Sequence, residues 1–153
     1  MNTTKINSNV CQKTELMNRM VGNCNRLTQE LNRRMKLGLG LSLAKFDVLL
    51  VIKDAEGSEI TMSNLSRELL VSNANMTGMT TRLQADGLVE KKPLQSDRRI
   101  YSVTLTDEGR AKLEKAIERH QVWVDELMAC VDADDVKSLN RVFDKMAFQE
   151  DAF

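Results

Sequence analysis

Residues 88–109, which read LVEKKPLQSDRRIYSVTLTDEG, contain the clearest structural signal in the chain. They predict two short strands joined by a basic loop, and the alternation in the second strand places Tyr101, Val103 and Leu105 on one face. Thr106, followed by two acidic residues, is a good helix start, because a hydroxyl and carboxylates suit the unpaired N–H groups there. A hairpin with two adjacent arginines at its tip, directly after a helical segment, is typical of a winged DNA-binding domain.

With 153 residues the chain is expected to form one domain, or one domain with an added dimerisation layer. It is 42% hydrophobic but only 4% aromatic and has a single proline, a composition that favours a mostly helical protein. The 22 basic and 22 acidic side chains balance, but residues 1–37 hold seven basic and only two acidic ones. Because a local patch matters more than the total, zero net charge leaves a nucleic-acid partner open.

Several classes of protein are disfavoured by what the sequence lacks. No apolar run is long enough for a membrane span, and the N-terminus does not resemble a signal peptide, so we expect a cytoplasmic protein without a membrane partner. Cys11, Cys24 and Cys130 are odd in number and irregularly spaced, which matches neither a zinc site nor a disulfide framework. With one histidine and no phosphate loop, nucleophile elbow or paired-carboxylate motif, an enzyme is not expected, nor a metal or cofactor.

Six helices are predicted from apolar spacings of three and four residues and from capping residues. The first carries an apolar stripe from Leu16 to Met35 and is expected to end at Gly38 and Gly40. The others are expected at 43–55, after a Thr61 cap, from Ser72 to Asp86, from 106 to about 131, and from 133 to about 147. The third and fourth of these helices form a helix-turn-helix pattern.

The order of these elements predicts a mostly helical α+β fold. A winged helix-turn-helix domain is expected at 43–105, a helical dimerisation region at 13–42 and 106–153, and a flexible N-terminal tail at 1–12. The first, fifth and sixth helices have more apolar surface than a small winged domain needs. This surplus favours a symmetric homodimer in which they bury one another.

The fourth helix has the character of a DNA recognition helix, with short polar side chains on one face. Met76, Met79 and Leu83 are spaced to face inward. The residues expected to face DNA are Ser72, Asn73, Asn75, Thr77, Gly78, Thr81 and Arg82. A glycine inside a helix costs about 1 kcal/mol relative to alanine, and a close approach of the backbone to a duplex would justify that cost. The same polar face would also suit an ordinary solvated helix.

The hairpin supplies a second set of candidate DNA contacts: Lys91, Lys92, Asp97, Arg98 and Arg99. The cations suit phosphates and the narrow, negative minor groove. The alternative is a charged surface turn in which Asp97 pairs with one of the arginines, because such pairs are common and weak. The combination of helix-turn-helix, hairpin and long helix is more specific than any one part.

The sequence resembles the MarR (multiple antibiotic resistance regulator) family in two places. Residues 97–99 (DRR), followed by 103–109 (VTLTDEG), are similar to the wing signature of that family, and stretches between 65 and 89 are similar to its helix-turn-helix. The resemblance spans about residues 16–147. It implies a homodimer that binds a pseudo-palindromic double-stranded DNA operator, usually as a repressor released by a ligand or an oxidant.

By the same resemblance the fourth helix enters the major groove and Arg98 or Arg99 enters the minor groove. Many family members carry a basic or larger polar residue where Gly78 stands, so the operator preference does not carry over. The resemblance also implies an effector pocket between the dimerisation helices and the winged domain, often for small aromatic acids or their conjugates. The candidate pocket residues are Arg19, Asn23, Leu27, Phe46, His120 and Trp123.

Two alternatives to an effector-released repressor stay open. One is oxidant sensing through a cysteine, although Cys24 lies on the apolar stripe, where a buried thiol is usually inert. The other is a helical interaction module without DNA binding. The second alternative predicts no salt-dependent affinity for duplex DNA.

Overall fold

The computed structural model describes residues 8–55, 60–94 and 97–146. Within these ranges the elements are α1 (Ser8–Leu39), α2 (Leu43–Asp54), α3 (Met62–Glu68), α4 (Asn73–Ala85), β1 (Val89–Pro93), β2 (Tyr101–Leu105), α5 (Asp107–Leu127) and α6 (Ala133–Met146). The predicted mostly helical fold with a two-stranded wing is confirmed.

Capping residues set where the short helices begin. Thr61, Ser72 and Thr106 each accept a hydrogen bond from the backbone N–H three residues further on, as their positions predict. Ser42, which the sequence pattern did not single out, caps α2 in the same way. After α4 the chain turns at Gly87, whose φ of +74° is one that side chains larger than hydrogen disfavour.

The ends of the long helices differ from the prediction. Residues 8–12, assigned to the flexible tail at 1–12, belong to α1, and residues 1–7 lie outside the described part of the chain. The polar residues there favour a tail, but they include neither proline nor glycine, so nothing interrupts the helix. Gly38 lies inside α1 and does not end it; Gly40, with φ of +62°, follows the last residue of the helix. α5 ends at Leu127, four residues before the predicted end.

One hydrophobic core joins side chains from α2, α4 and α5. Leu49 on α2, Met76 on α4 and Leu113 on α5 are all fully buried in it. The dense apolar sequence of α2 predicts a mostly buried helix, which agrees with this position. The inner side of the recognition-helix candidate is therefore anchored in a core that also holds side chains of α2 and α5.

The wing is an antiparallel ladder that begins with Val89 opposite Leu105 and ends with Pro93 opposite Tyr101. The alternation predicted for β2 is present in the ladder, but burial does not follow it at two positions, because Ser102 on one face is buried and Tyr101 on the other is 48% exposed. The Thr61 segment forms a bridge with Ser102, and this strand-like segment covers the serine. Tyr101 lies in the last pair of the ladder, at the end that leads to the wing tip.

Two chain corners meet between the wing and α5. The Thr106 hydroxyl donates to the carbonyl oxygen of Gly87 at 2.6 Å and accepts from the N–H of Gly109 at 2.9 Å. The Thr106 N–H donates to the carbonyl oxygen of Leu88 at 3.1 Å. A Cβ atom on Gly109 would lie 1.9 Å from that same carbonyl oxygen, so only glycine permits the approach. The corner fixes the direction of α5 relative to α4 and the wing.

An ion pair and a close contact with the Trp123 ring join α1 to α5. Arg34 lies between Glu30 of its own helix, at 2.8 Å, and Glu126 of α5, at 2.6 Å. Hydrogen bonds from Arg33 and Arg34 lower the pKa of Glu30 to about 2. A Cβ at Gly38 would come within 3.1 Å of the Trp123 ring, so the small residue lets α5 pack closely on α1.

Two helical faces carry large apolar side chains that stay exposed in the single chain. On α1 they are Leu16, Met17 and Val21, which are 51–66% exposed, and on α6 they are Val136, Leu139, Val142, Phe143 and Met146, which are 40–48% exposed. Within the described ranges no helix is long and apolar enough to cross a membrane. These faces lie on the elements that the sequence assigns to dimerisation.

We expect Gly109→Ala to lower the free energy of unfolding by about 3 kcal/mol, because the new methyl group must displace the Leu88 backbone. Urea unfolding followed by circular dichroism measures the change.

Gly78→Ala is the matched control, since a Cβ at Gly78 would have room, with Arg82 Nη2 its nearest neighbour in the described ranges at 3.8 Å. Because alanine avoids the cost of a glycine inside a helix, this substitution should raise the free energy of unfolding by up to about 1 kcal/mol. Equal effects of the two substitutions would contradict the close approach at the corner.

Candidate nucleic-acid interface

The outward face of α4 is polar and open, as predicted. Asn73, Asn75, Thr77 and Thr81 are exposed, whereas Met76 is fully buried. Arg82 and Ser72 are exposed as well, and Met79 is half-buried. The amide and hydroxyl groups of this face are hydrogen-bonding groups of the kind that contact base edges.

One buried residue of α4 was not predicted. Thr80 is fully buried; its hydroxyl donates to the carbonyl oxygen of Met76 at 3.0 Å and lies 3.5 Å from the sulfur of Met62. A threonine that satisfies its hydroxyl within its own helix can be buried at low cost. Its spacing of four residues from Met76 is the signal that would have placed it on the inner face.

Gly78 is half-buried, and no backbone or core atom within the described part of the chain occupies the space where its side chain would project. Packing therefore does not explain a glycine at this position. The backbone of α4 is left open to close approach from outside.

A direct contact joins the wing to α4. The Lys91 ammonium of β1 donates to the Thr81 hydroxyl at 3.3 Å, and that hydroxyl donates to the Thr77 carbonyl oxygen at 2.8 Å. The polar face of α4 thus continues onto the first strand of the wing. The helix and the hairpin form one surface.

The wing tip is organised by Asp97. Its carboxylate accepts from the backbone N–H of Arg99 at 3.0 Å and from the Arg99 guanidinium at 3.2 and 3.3 Å, which lowers the pKa of Asp97. The Arg99 side chain is nevertheless 91% exposed. Among the residues that the structure describes, no carboxylate pairs with Arg98, which is also exposed. The tip presents two arginines to solvent, of which only Arg99 pairs with a carboxylate of the described residues.

Other cations of this surface also have acidic neighbours. Lys92 pairs with Glu90 at 2.6 Å, and this contact lowers the pKa of Glu90. Lys45 of α2 pairs with Asp86 just after α4 and ties the end of the helix to the core. Exposed pairs of this kind contribute little to stability, so a phosphate can replace the carboxylate at small cost.

The candidate effector residues separate into two groups. Phe46 and His120 stack with ring centroids 5.0 Å apart, and nearby on α5 the Arg119 guanidinium lies 5.2 Å from the ring centre of Trp123. The sequence prediction missed Arg119, which its position four residues before the tryptophan would have indicated.

Within one chain the α1 candidates are not brought to this aromatic cluster. Leu27 is half-buried, but Arg19 and Asn23 are exposed on the first half of α1. Because α1 runs antiparallel to α5, with Arg34 at Glu126, the segment that carries Arg19 and Asn23 extends beyond the end of α5. A single protomer does not assemble the predicted pocket.

A cavity of about 80 Å³ lies elsewhere, between α2 and the helix-turn-helix. It is lined by Ala44, Asp47, Val48, Leu69, Val71, Met76 and Met79. Asp47 supplies the one carboxylate, and partial burial raises its pKa, although the charge of His120 acts in the opposite direction. The cavity is mostly apolar and lies behind the recognition-helix candidate.

The thiol of Cys24 is more exposed than the sequence predicts. Cys24 is exposed in the single chain although it follows the apolar stripe of α1, and Cys130 is exposed as well. Both are free thiols. Within the described ranges no helix packs over the part of α1 that carries Cys24, and its thiol is therefore exposed.

Asp47→Asn should stabilise the protein at pH values above the usual pKa of an aspartate, and it should have no effect near pH 3. A raised pKa in the folded state means that the unfolded chain ionises first, so stability falls as pH rises from about 4 through the folded value. The gain at pH 7 should stay below about 1 kcal/mol, since solvent screens the half-buried group. Urea unfolding between pH 3 and pH 7 tests this; a gain that is equal at both ends would contradict it.

Comparisons with known proteins agree with this geometry. A model of the MarR family matches residues 39–100. The HTH-type transcriptional repressor YetL of Bacillus subtilis is 30% identical in an alignment of 118 residues that covers 74% of this chain and 71% of YetL.

Solved structures give the same result over most of the chain. A mutant of MarR from E. coli, complexed with operator DNA, is 28% identical and superposes with a TM-score of 0.80, covering 90% of this chain and 96% of that one. The transcriptional regulator BldR from Sulfolobus solfataricus is 26% identical, with a TM-score of 0.73 and coverage of 95% and 99%. These relatives are transcriptional regulators, and the chain therefore belongs to the MarR family of winged helix-turn-helix transcriptional regulators.

Proposed function

We propose that two copies of this chain bind an operator in double-stranded DNA, with α4 of each copy in the major groove and each wing tip in the adjacent minor groove. The observation that carries the proposal is the continuous exposed surface in which Lys91 joins the polar face of α4 to the wing. Arg98 at the wing tip extends this surface with a cation that has no acidic partner in the described residues. The E. coli MarR mutant that superposes on this chain is complexed with operator DNA.

Homodimer formation is supported by the exposed apolar faces of α1 and α6. The side chains of α6, from Val136 to Met146, are 40–48% exposed although they form one stripe along the helix. Such a stripe is normally buried against another helix. A second copy of the same chain supplies a complementary surface and gives the two-fold symmetry that a pseudo-palindromic operator requires.

In the proposed regulation the protein represses transcription, and a small aromatic acid or a conjugate of one relieves the repression. The name of YetL describes a transcriptional repressor, which supports this direction of control. The Arg119 cation over Trp123, beside the Phe46–His120 stack, has the chemistry to receive a carboxylate attached to a ring. In a dimer, Arg19 and Asn23 from the projecting half of the partner's α1 are free to complete such a site.

A cysteine-based oxidant sensor is the second candidate, because Cys24 is a free thiol that is exposed in the single chain. The two candidates separate in one assay: peroxide releases DNA from an oxidant sensor, and Cys24→Ser abolishes that release. An effector-released repressor responds to aromatic acids in both backgrounds.

Replacing Arg98 and Arg99 together with alanine should weaken duplex binding at least about tenfold at 0.1 M salt, because each of the two copies loses two phosphate or minor-groove contacts. The dependence of log affinity on log salt should become shallower by about three to four, because the dimer loses four cations. Fluorescence anisotropy with duplex from upstream of the chain's own gene measures both quantities.

Arg33→Ala is the matched control, since Arg33 is also exposed and paired with a nearby carboxylate but lies on α1, away from the wing. It should leave affinity and salt dependence unchanged. An unaltered affinity in the double wing variant, with the fold intact by circular dichroism, would contradict the assigned wing contact.

An aromatic acid that acts at the proposed site should quench the fluorescence of Trp123, which is the single tryptophan of the chain. The same compound should release the duplex, and Arg119→Gln should weaken both effects about tenfold, because the carboxylate loses its cation. Titration with a panel of benzoates and arylacetates, followed by fluorescence and anisotropy, tests this. Release that survives Arg119→Gln unchanged would place the effector elsewhere.

A further inference from the structure

Leu70 has an unusual backbone conformation and an unusual exposure. It lies in the turn between α3 and α4, two residues before the Ser72 cap, and its φ is +52°. Among the described residues it is the one non-glycine position with a positive φ. Its side chain is 92% exposed.

The turn requires this backbone conformation, but it does not require leucine. The N–H of Leu70 donates to the Arg67 carbonyl oxygen at 3.3 Å, and the next N–H, of Val71, donates to the Ser66 carbonyl oxygen at 3.0 Å. Leu69 and Val71 on either side pack against the core. These contacts force the intervening residue outward and into the left-handed region.

Glycine would meet the demands of this turn better than leucine does. A branched side chain crowds the following carbonyl in the left-handed region, whereas glycine adopts it freely. The exposed leucine also gains nothing from burial within its own chain. A strained residue that internal packing does not explain points to a role in binding.

We propose that Leu70 makes an apolar contact with the DNA duplex where α4 enters the major groove. This inference rests on the proposed function, since it requires α4 to be the recognition helix. The first residues of a recognition helix contact base edges, so the turn just before Ser72 lies against the groove edge.

The duplex offers two apolar surfaces there. One is the C5-methyl group of thymine, which is the apolar group of the major-groove edge, and the other is the deoxyribose ring of the backbone. A contact with thymine would make Leu70 a determinant of sequence preference. A contact with deoxyribose would make it a positioning residue.

The test uses the full-length protein and a duplex of about 30 base pairs that the wild-type protein selects from a random library, long enough for two half-sites. Leu70→Ala removes the apolar contact and should weaken binding about fivefold, the effect of losing part of a buried leucine. Leu70→Gly should weaken binding as much while it raises the melting temperature by a few degrees. Leu37→Ala is the control, because Leu37 is 75% exposed near the end of α1, outside the proposed interface.

A second duplex, with deoxyuridine in place of thymidine, distinguishes the two surfaces. If this duplex weakens wild-type binding more than it weakens Leu70→Ala binding, the contact is with thymine methyl groups. If it weakens both equally while Leu70→Ala still binds less tightly, the contact is with deoxyribose. Wild-type affinity in both Leu70 variants would overturn the inference alone, whereas failure of the wild-type protein to select any duplex would overturn the proposed function and this inference with it.

Discussion

The close approach of Leu88 and Gly109 is the constraint on which the rest of the arrangement depends. Thr106 closes this corner by hydrogen bonds to Gly87 and Gly109, so the chain segments that leave α4 and enter α5 cross at van der Waals contact. α4 and the wing are short elements that could not hold a fixed angle to a long helix by themselves. The corner links the position of α5, one of the helices that we assign to dimerisation, to the surface that we assign to DNA.

Several cations of that surface are paired with carboxylates that a DNA phosphate can replace. Asp97 holds Arg99 and Glu90 holds Lys92, but both pairs lie in solvent, where an ion pair contributes little. Asp97 also accepts the backbone N–H of Arg99 and so fixes the conformation of the wing tip. A phosphate of the DNA backbone can then replace the carboxylate beside each of these cations at little cost in free energy. A chain of zero net charge can therefore still bind nucleic acid.

The parts of the fold that sequence predicts are those determined by neighbours along the chain. The caps at Thr61, Ser72 and Thr106, the wing, and the outward face of α4 all follow from local patterns, and the structure has them. The errors arise where a distant segment decides the outcome. Ser102 is buried because the Thr61 segment bridges to it, and Gly38 stays helical beneath Trp123. Arg19 and Asn23 share a stripe with Leu27, but the length of α1 carries them past α5, which no local pattern reveals.

A hydroxyl-radical footprint of the protein on its selected duplex tests the central claim most directly. Two copies related by a two-fold axis, each with α4 in the major groove, should give two equal protected patches about 10 base pairs apart, with protection of the flanking minor grooves. A single protected patch, or two patches without two-fold symmetry, would contradict the account.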